Sequence, residues 1–115
     1  MKKIILPFLF LAMTLSSCME EATITIQNKV SNATLEDVSW DDYFISSTLL
    51  PGETKTRTIS DDKGGFPKKS VVKFYMKRNG NKVYLETKST FVLDTDDNLL
   101  IVIADTTQVI NPLHN

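Results

Sequence analysis

The sequence predicts an all-β protein: a two-sheet antiparallel β-sandwich of seven to eight strands, preceded by a short N-terminal leader. Three observations carry that expectation. Beyond residue 18, threonine, valine, isoleucine and aromatic residues are frequent and alanine is scarce, which suits a pleated, half-buried surface. Turn-forming residues recur about every eight to twelve positions, the rhythm of short strands in a sandwich or barrel. No apolar periodicity of helical type outlasts one turn, and there is no internal repeat or low-complexity segment.

The chain opens with Met1-Lys2-Lys3 and an uncharged apolar run from Ile4 to Leu15. Roughly twelve apolar residues, interrupted by Pro7, fall short of the ~20 that a spanning helix needs. Two lysines, a short apolar stretch and then small residues make up a secretory signal peptide. Leu15-Ser16-Ser17-Cys18 follows, and it resembles the lipobox of bacterial lipoproteins. That resemblance implies cleavage before Cys18, a diacylglyceryl group on its thiol, and palmitate or another acyl chain on the new amino terminus. The expected division is a signal peptide over 1–17, a lipidated cysteine and acidic tether over 18–22, a sandwich over 23–112 and a tail over 113–115. Residue 19 is Met rather than Asp, which by the same resemblance favours the outer membrane. Glu20-Glu21 is similar to the acidic signals that send some lipoproteins to the cell surface.

Strand by strand, Thr23 to Val30 alternates, with Ile24, Ile26 and Val30 on one face. Ser31-Asn32-Ala33-Thr34 is a loop, and Leu35 to Trp40 is a strand with Val38 and Trp40 on one side. Asp41-Asp42 turns the chain into Tyr43 to Ser47, and Pro51-Gly52 marks a further turn. Leu50-Pro51-Gly52-Glu53 resembles a step met in immunoglobulin-like modules. Thr54 to Ile59 is polar and carries Lys55 and Arg57, which suits a sheet edge. Residues 61–69, with Gly64, Gly65 and Pro67, are expected to form the longest loop.

Arg78-Asn79-Gly80-Asn81 is the clearest local signal, because Asn-Gly supplies the positive φ values of a tight hairpin turn. A two-residue loop sets Met76 against Val83, Phe74 against Leu85 and Val72 against Thr87, on a face expected to be core. The opposite face then sets Tyr75 against Tyr84, Lys73 against Glu86 and Lys77 against Lys82. After Phe91 and Leu93, Asp94-Thr95-Asp96-Asp97-Asn98 reads as a turn. Leu99 to Ala104 is apolar throughout, which predicts a central strand covered on both faces. A short strand around Gln108 to Ile110 ends at Pro112.

Functional chemistry is sparse. Loss of Lys2 and Lys3 with the leader leaves 11 basic against 14 acidic residues, so no nucleic-acid partner is expected. The single histidine, His114, lies near the C terminus, and the single cysteine is assigned to lipid; Ser-His, Cys-His and Cys/His zinc sites are therefore not expected. The acidic pairs Asp41-Asp42, Asp61-Asp62 and Asp96-Asp97 fall in turns, where Asp bonds its own backbone. A carboxylate hydrolase is the enzymatic alternative to a non-enzymatic module, and no cofactor beyond the lipid is expected. Asp94, Asp96 and Asn98 are spaced as a calcium loop begins, with Asp105 at its twelfth place, but Leu99 stands where glycine is needed. Asn32-Ala33-Thr34 and Asp105-Thr106-Thr107 match short glycosylation patterns.

The candidate binding surface is the outer hairpin face: Tyr75, Tyr84, Lys73, Lys77 and Lys82. Paired tyrosines can stack on sugars or anchor a protein, and they can equally well stabilise the sheet. The expected partners are a membrane, through the lipid, and a glycan or protein. The alternative is a structural subunit that adds its Thr54 to Ile59 edge to another chain's sheet.

Overall fold

The computed structural model describes residues 20–61 and 65–113. The leader, Cys18, Asp62, Gly64 and His114 lie outside the described residues. Ten strands follow in order: β1 Glu20–Lys29, β2 Thr34–Trp40, β3 Tyr43–Leu49, β4 Thr54–Asp61, β5 Lys68–Ser70, β6 Val72–Arg78, β7 Asn81–Thr87, β8 Phe91–Leu93, β9 Asn98–Ala104 and β10 Val109–Ile110. The protein is all-β over these residues and sandwich-like. A three-stranded sheet (β4-β1-β9) and a five-stranded sheet (β10-β7-β6-β2-β3) share one core, and β5-β8 forms a separate pair.

The count exceeds the expected seven to eight, and the pairing is not purely antiparallel. β1 pairs with β4 antiparallel but with β9 parallel, Thr23 opposite Asn98 and Lys29 opposite Ala104. The extra strands arise because short polar segments, such as Lys68–Ser70, take up ladder hydrogen bonds without any apolar alternation to announce them. β1 also begins at Glu20, so Glu20 and Glu21 are strand residues opposite Asp61 and Ser60 rather than part of a tether.

Alternation in β1 places Ala22, Ile24 and Ile26 in the core, and Asn28 beside them at 0% exposure. In β2, Leu35, Val38 and Trp40 are all buried although they do not share one parity. A bulge resolves this: the register slips between Glu36 and Ser39, and Asp37 takes φ 49°. Trp40 donates its Nε1–H to the Ser70 carbonyl at 3.2 Å, so its polar atom is satisfied. Beside it, Lys68 binds Asp61 at 3.0 Å, and the Lys68 and Arg57 cations lie over the Tyr43 ring at 5.7 and 5.4 Å. The Asp61 hydrogen bond holds the Lys68 ammonium above its ordinary pKa.

Two expectations about burial are overturned. β9 is the last strand of its sheet rather than a central one, and Leu100 and Val102 are 58% and 38% exposed. A continuous apolar run normally marks a strand covered on both faces, but here only Ile101 and Ile103 are fully buried, with Leu99 half-buried against the core. The hairpin's inner face is likewise not all core. Val72, Phe74 and Thr87 are buried, Met76 and Leu85 are half-buried, and Val83 is exposed. The three-stranded sheet ends at β9, whereas the five-stranded sheet continues through β7 and β10. The β4 edge position agrees with expectation.

Candidate functional site

The β6-β7 hairpin forms in the register that its Asn79-Gly80 turn dictates. Those residues take φ 51° and 79°, and Tyr75 faces Tyr84, Lys73 faces Glu86 and Lys77 faces Lys82. The five residues of the predicted strip therefore do share one face. The two tyrosine rings meet at 5.2 Å with a 57° tilt, a geometry worth about 0.5–1.5 kcal/mol beyond the area it buries.

The strip is more self-contained than its sequence suggests. Lys82 lies 4.8 Å from the Tyr75 ring centre and 3.0 Å from the Glu36 carboxylate of β2. Each partner stabilises the other's charge: the Lys82 hydrogen bond lowers the Glu36 pKa, and the Glu36 bond raises that of Lys82. Tyr84 donates its hydroxyl to Glu86 at 2.8 Å. Burial first, then the neighbouring Glu86 carboxylate, pushes the Tyr84 hydroxyl up to about 12. Both tyrosines are half-buried. Glu36 was not singled out in the sequence, because the β2-β6 pairing that brings it beside Tyr75 crosses about forty residues of chain and contains a bulge.

A second feature lies where the two large sheets part. A cleft of about 650 Å³ runs between the C-terminal end of β9 and the hairpin tip, with Val30, Met76, Ile103 and Val109 as apolar lining and Arg78 and Asn79 at its rim. Its walls are tied together. Asp105 accepts hydrogen bonds from the Ser31 amide at 2.9 Å and the Ser31 hydroxyl at 2.6 Å, and Arg78 donates to the Ser31 carbonyl at 2.7 Å. Those bonds from Ser31, with the Arg78 charge behind them, hold the Asp105 carboxyl below its ordinary pKa. The core-facing side of the hairpin tip, with Val83 and Leu85, continues the apolar surface outward.

No family model, curated protein or solved structure matches the chain. The side-chain oxygens of Asp94 and Asn98 are engaged around the β8-β9 turn. Asp94 accepts from the Thr95 amide, Asp97 accepts from the Asp94 amide, and the Thr23 hydroxyl bonds the Asn98 side chain. Asp96 takes φ 66°, and its amide donates to the Glu21 carbonyl, which knits the turn onto β1. Among the described residues, no group of three or more His, Cys, Asp or Glu side chains is arranged to hold a metal ion. Asp41 adopts φ 55° in the β2-β3 turn, and Asp61 is bound to Lys68; its neighbour Asp62 lies outside the described residues.

Cys18 and His114 fall outside the described residues. No helix among the described residues is long and apolar enough to cross a membrane. The cleft was not visible in the sequence, because its residues come from three separate stretches of chain, around residues 30–32, 76–79 and 103–109, that alternation alone assigns to core or loop.

Proposed function

We propose that this chain is a bacterial lipoprotein anchored through lipid on Cys18, whose β-sandwich serves as a small, non-enzymatic binding or accessory module for a glycan or protein partner in the cell envelope. One observation carries the reading. β1 starts at Glu20, so Met19 alone separates its first residue from Cys18. Ten strand residues at ~3.3 Å each then carry the chain about 30 Å away from the anchor. The cleft lies at that far end, beside Val30, Ser31 and Ala104, while Glu21 and the Asp96-Asp97 turn lie at the near end. A lipid on Cys18 would thus hold one end of the sandwich against the membrane and present the cleft and hairpin tip outward.

Two or three acyl chains make such anchoring firm, where one would be marginal. An immunoglobulin-like sandwich is part of the same reading, supported by two large sheets around one core. The Leu50–Glu53 turn supports it as well, since Gly52 donates its amide to the Asn28 carbonyl. The second reading, a structural subunit, is favoured by one specific feature: among the described residues no strand pairs with the outer edge of β9.

The test combines lipid labelling with site-specific crosslinking in cells. Radiolabelled palmitate is expected on the natural chain and absent from Cys18→Ala, and label on both would remove the anchor. A photo-crosslinker at Asn79 is expected to capture an envelope glycan or protein where one at Asp97 does not; capture at Asp97 alone would place the partner at the wrong end. Protease shaving of intact cells then separates surface display from a periplasmic position.

A further inference from the structure

We propose that two copies of this chain join edge to edge through β9, antiparallel about a two-fold axis at Leu100. Thr23 donates its amide to the Asp97 carbonyl. Since successive residues of a strand point their N–H and C=O groups to opposite sides, the odd-numbered residues of β9 face β1 and the even-numbered ones face away. Among the described residues, no strand pairs with that outward edge.

One outward position is already occupied. The Thr107 side chain folds back and accepts the Ala104 amide at 2.9 Å, closing the C-terminal end of the edge. Asn98, Leu100 and the Val102 amide remain, while the Val102 carbonyl lies 3.5 Å from the Thr107 hydroxyl; the three residues are symmetric about Leu100. A second copy laid antiparallel sets Leu100 against Leu100 and Asn98 against Val102 on either side. That register supplies about four inter-strand hydrogen bonds without competition, and two more at the Val102 carbonyls displace the Thr107 hydroxyl.

The side chains fit the same partner. β9 carries no charge from Asn98 to Ala104, so the two-fold brings no like charges together and buries the exposed Leu100 side chains against each other. Elsewhere the sheet ends are guarded. β4 carries Lys55 and Arg57, Arg57 donates to the Phe44 carbonyl on β3 at 2.7 Å, and β10 is two residues long. Lysine, arginine and shortness are the usual protections against edge pairing, and β9 has none of them. The middle of the outward face that such a joined sheet would extend is also uncharged, with Thr23, Thr25 and Gln27 on β1 beside Thr58, Thr56 and Thr54 on β4, and charge returns only at its ends with Glu21 and Lys29. One strand edge covers less than the ~800 Å² per partner of a standard interface. The association is therefore weak, and high concentration is needed to populate it.

The experiment uses the full chain in detergent solution at hundreds of micromolar, carrying Cys18→Ser so that each introduced thiol is the only one. It is thereby independent of the proposed anchor. Paired residues of an antiparallel ladder lie ~5.5 Å apart at Cα, within disulfide reach. Oxidation is expected to join Leu100→Cys into a covalent dimer several-fold faster than Val102→Cys or Thr25→Cys. A mixture of Asn98→Cys and Val102→Cys should give the mixed dimer. Leu100→Lys, at an exposed position where the fold is retained by circular dichroism, should shift the sedimentation average from dimer toward monomer. Equal rates at Leu100, Val102 and Thr25, or unchanged sedimentation of Leu100→Lys, would overturn the proposal.

Discussion

Asn28 shows how one polar side chain can organise a core. It is fully buried among isoleucines, where an amide without partners would be costly. All its capacity is directed at backbone: Nδ2 donates to the Ala33 and Leu49 carbonyls at 2.9 Å each, and Oδ1 accepts the Val30 amide. It thereby fixes the exit from β1 and the end of β3 at once. Asn28→Ala removes three bonds and strands the backbone groups that made them, at about 1–3 kcal/mol for each unsatisfied group with partial relief by relaxation. Urea unfolding is expected to show a loss of about 3–5 kcal/mol, a large part of a small domain's stability. A loss below ~1 kcal/mol would mean that water replaces the amide. Asp105 gives a pH-dependent counterpart. Its carboxyl is held below its ordinary pKa by Ser31, so its contribution is complete above that ordinary value and fades as pH falls through the lowered one. The natural chain should melt above Asp105→Asn at pH 6, and the gap should close toward pH 2. A gap independent of pH would show that the charge is not involved.

How far each strand was legible in the sequence follows from the range of its interactions. The hairpin register was readable from Lys73–Glu86 to Lys77–Lys82, because Asn79-Gly80 fixes turn type and register locally; at the expected Val72–Thr87 pair the Val72 amide donates to the Thr87 hydroxyl instead. β1 was readable from alternation, apart from Asn28 and its start at Glu20. β4 was readable as an edge from Lys55 and Arg57. β9 misled because its composition describes only the strand itself, and whether Leu100 is covered depends on which sheets lie nearby. The bulge in β2 escaped for a related reason, since Asp37 has to take φ 49° for Leu35 and Trp40 to reach the same core, and only the β2-β3 and β2-β6 pairings require that. For the candidate site the division is the same. The tyrosine pair was visible as a local product of the hairpin. Glu36 beneath Lys82, and the cleft between β9 and the hairpin tip, arise from pairings remote in sequence and were not.

The molecule as a whole is closed by the parallel contact between β1 and β9, which joins residues 75 positions apart. The hairpins β2-β3 and β6-β7, by contrast, each form across a turn of two residues. Closing a long loop costs chain entropy before its contacts return anything, so local pairs should form first and the β1-β9 seam late. Two conservative core changes separate these stages. Phe74→Leu trims the hairpin's buried face and Ile101→Val trims β9 opposite Ile26; both sites are essentially inaccessible to solvent. Each change should cost about 1 kcal/mol, enough for the kinetic partition to be read. In stopped-flow refolding, Phe74→Leu is expected to slow folding, with φ near 0.5 or above. Ile101→Val is expected to act almost wholly on unfolding, with φ below ~0.2. The reverse order would place the parallel seam in the nucleus, and the chain would then have to bring its two ends together before its hairpins were in place.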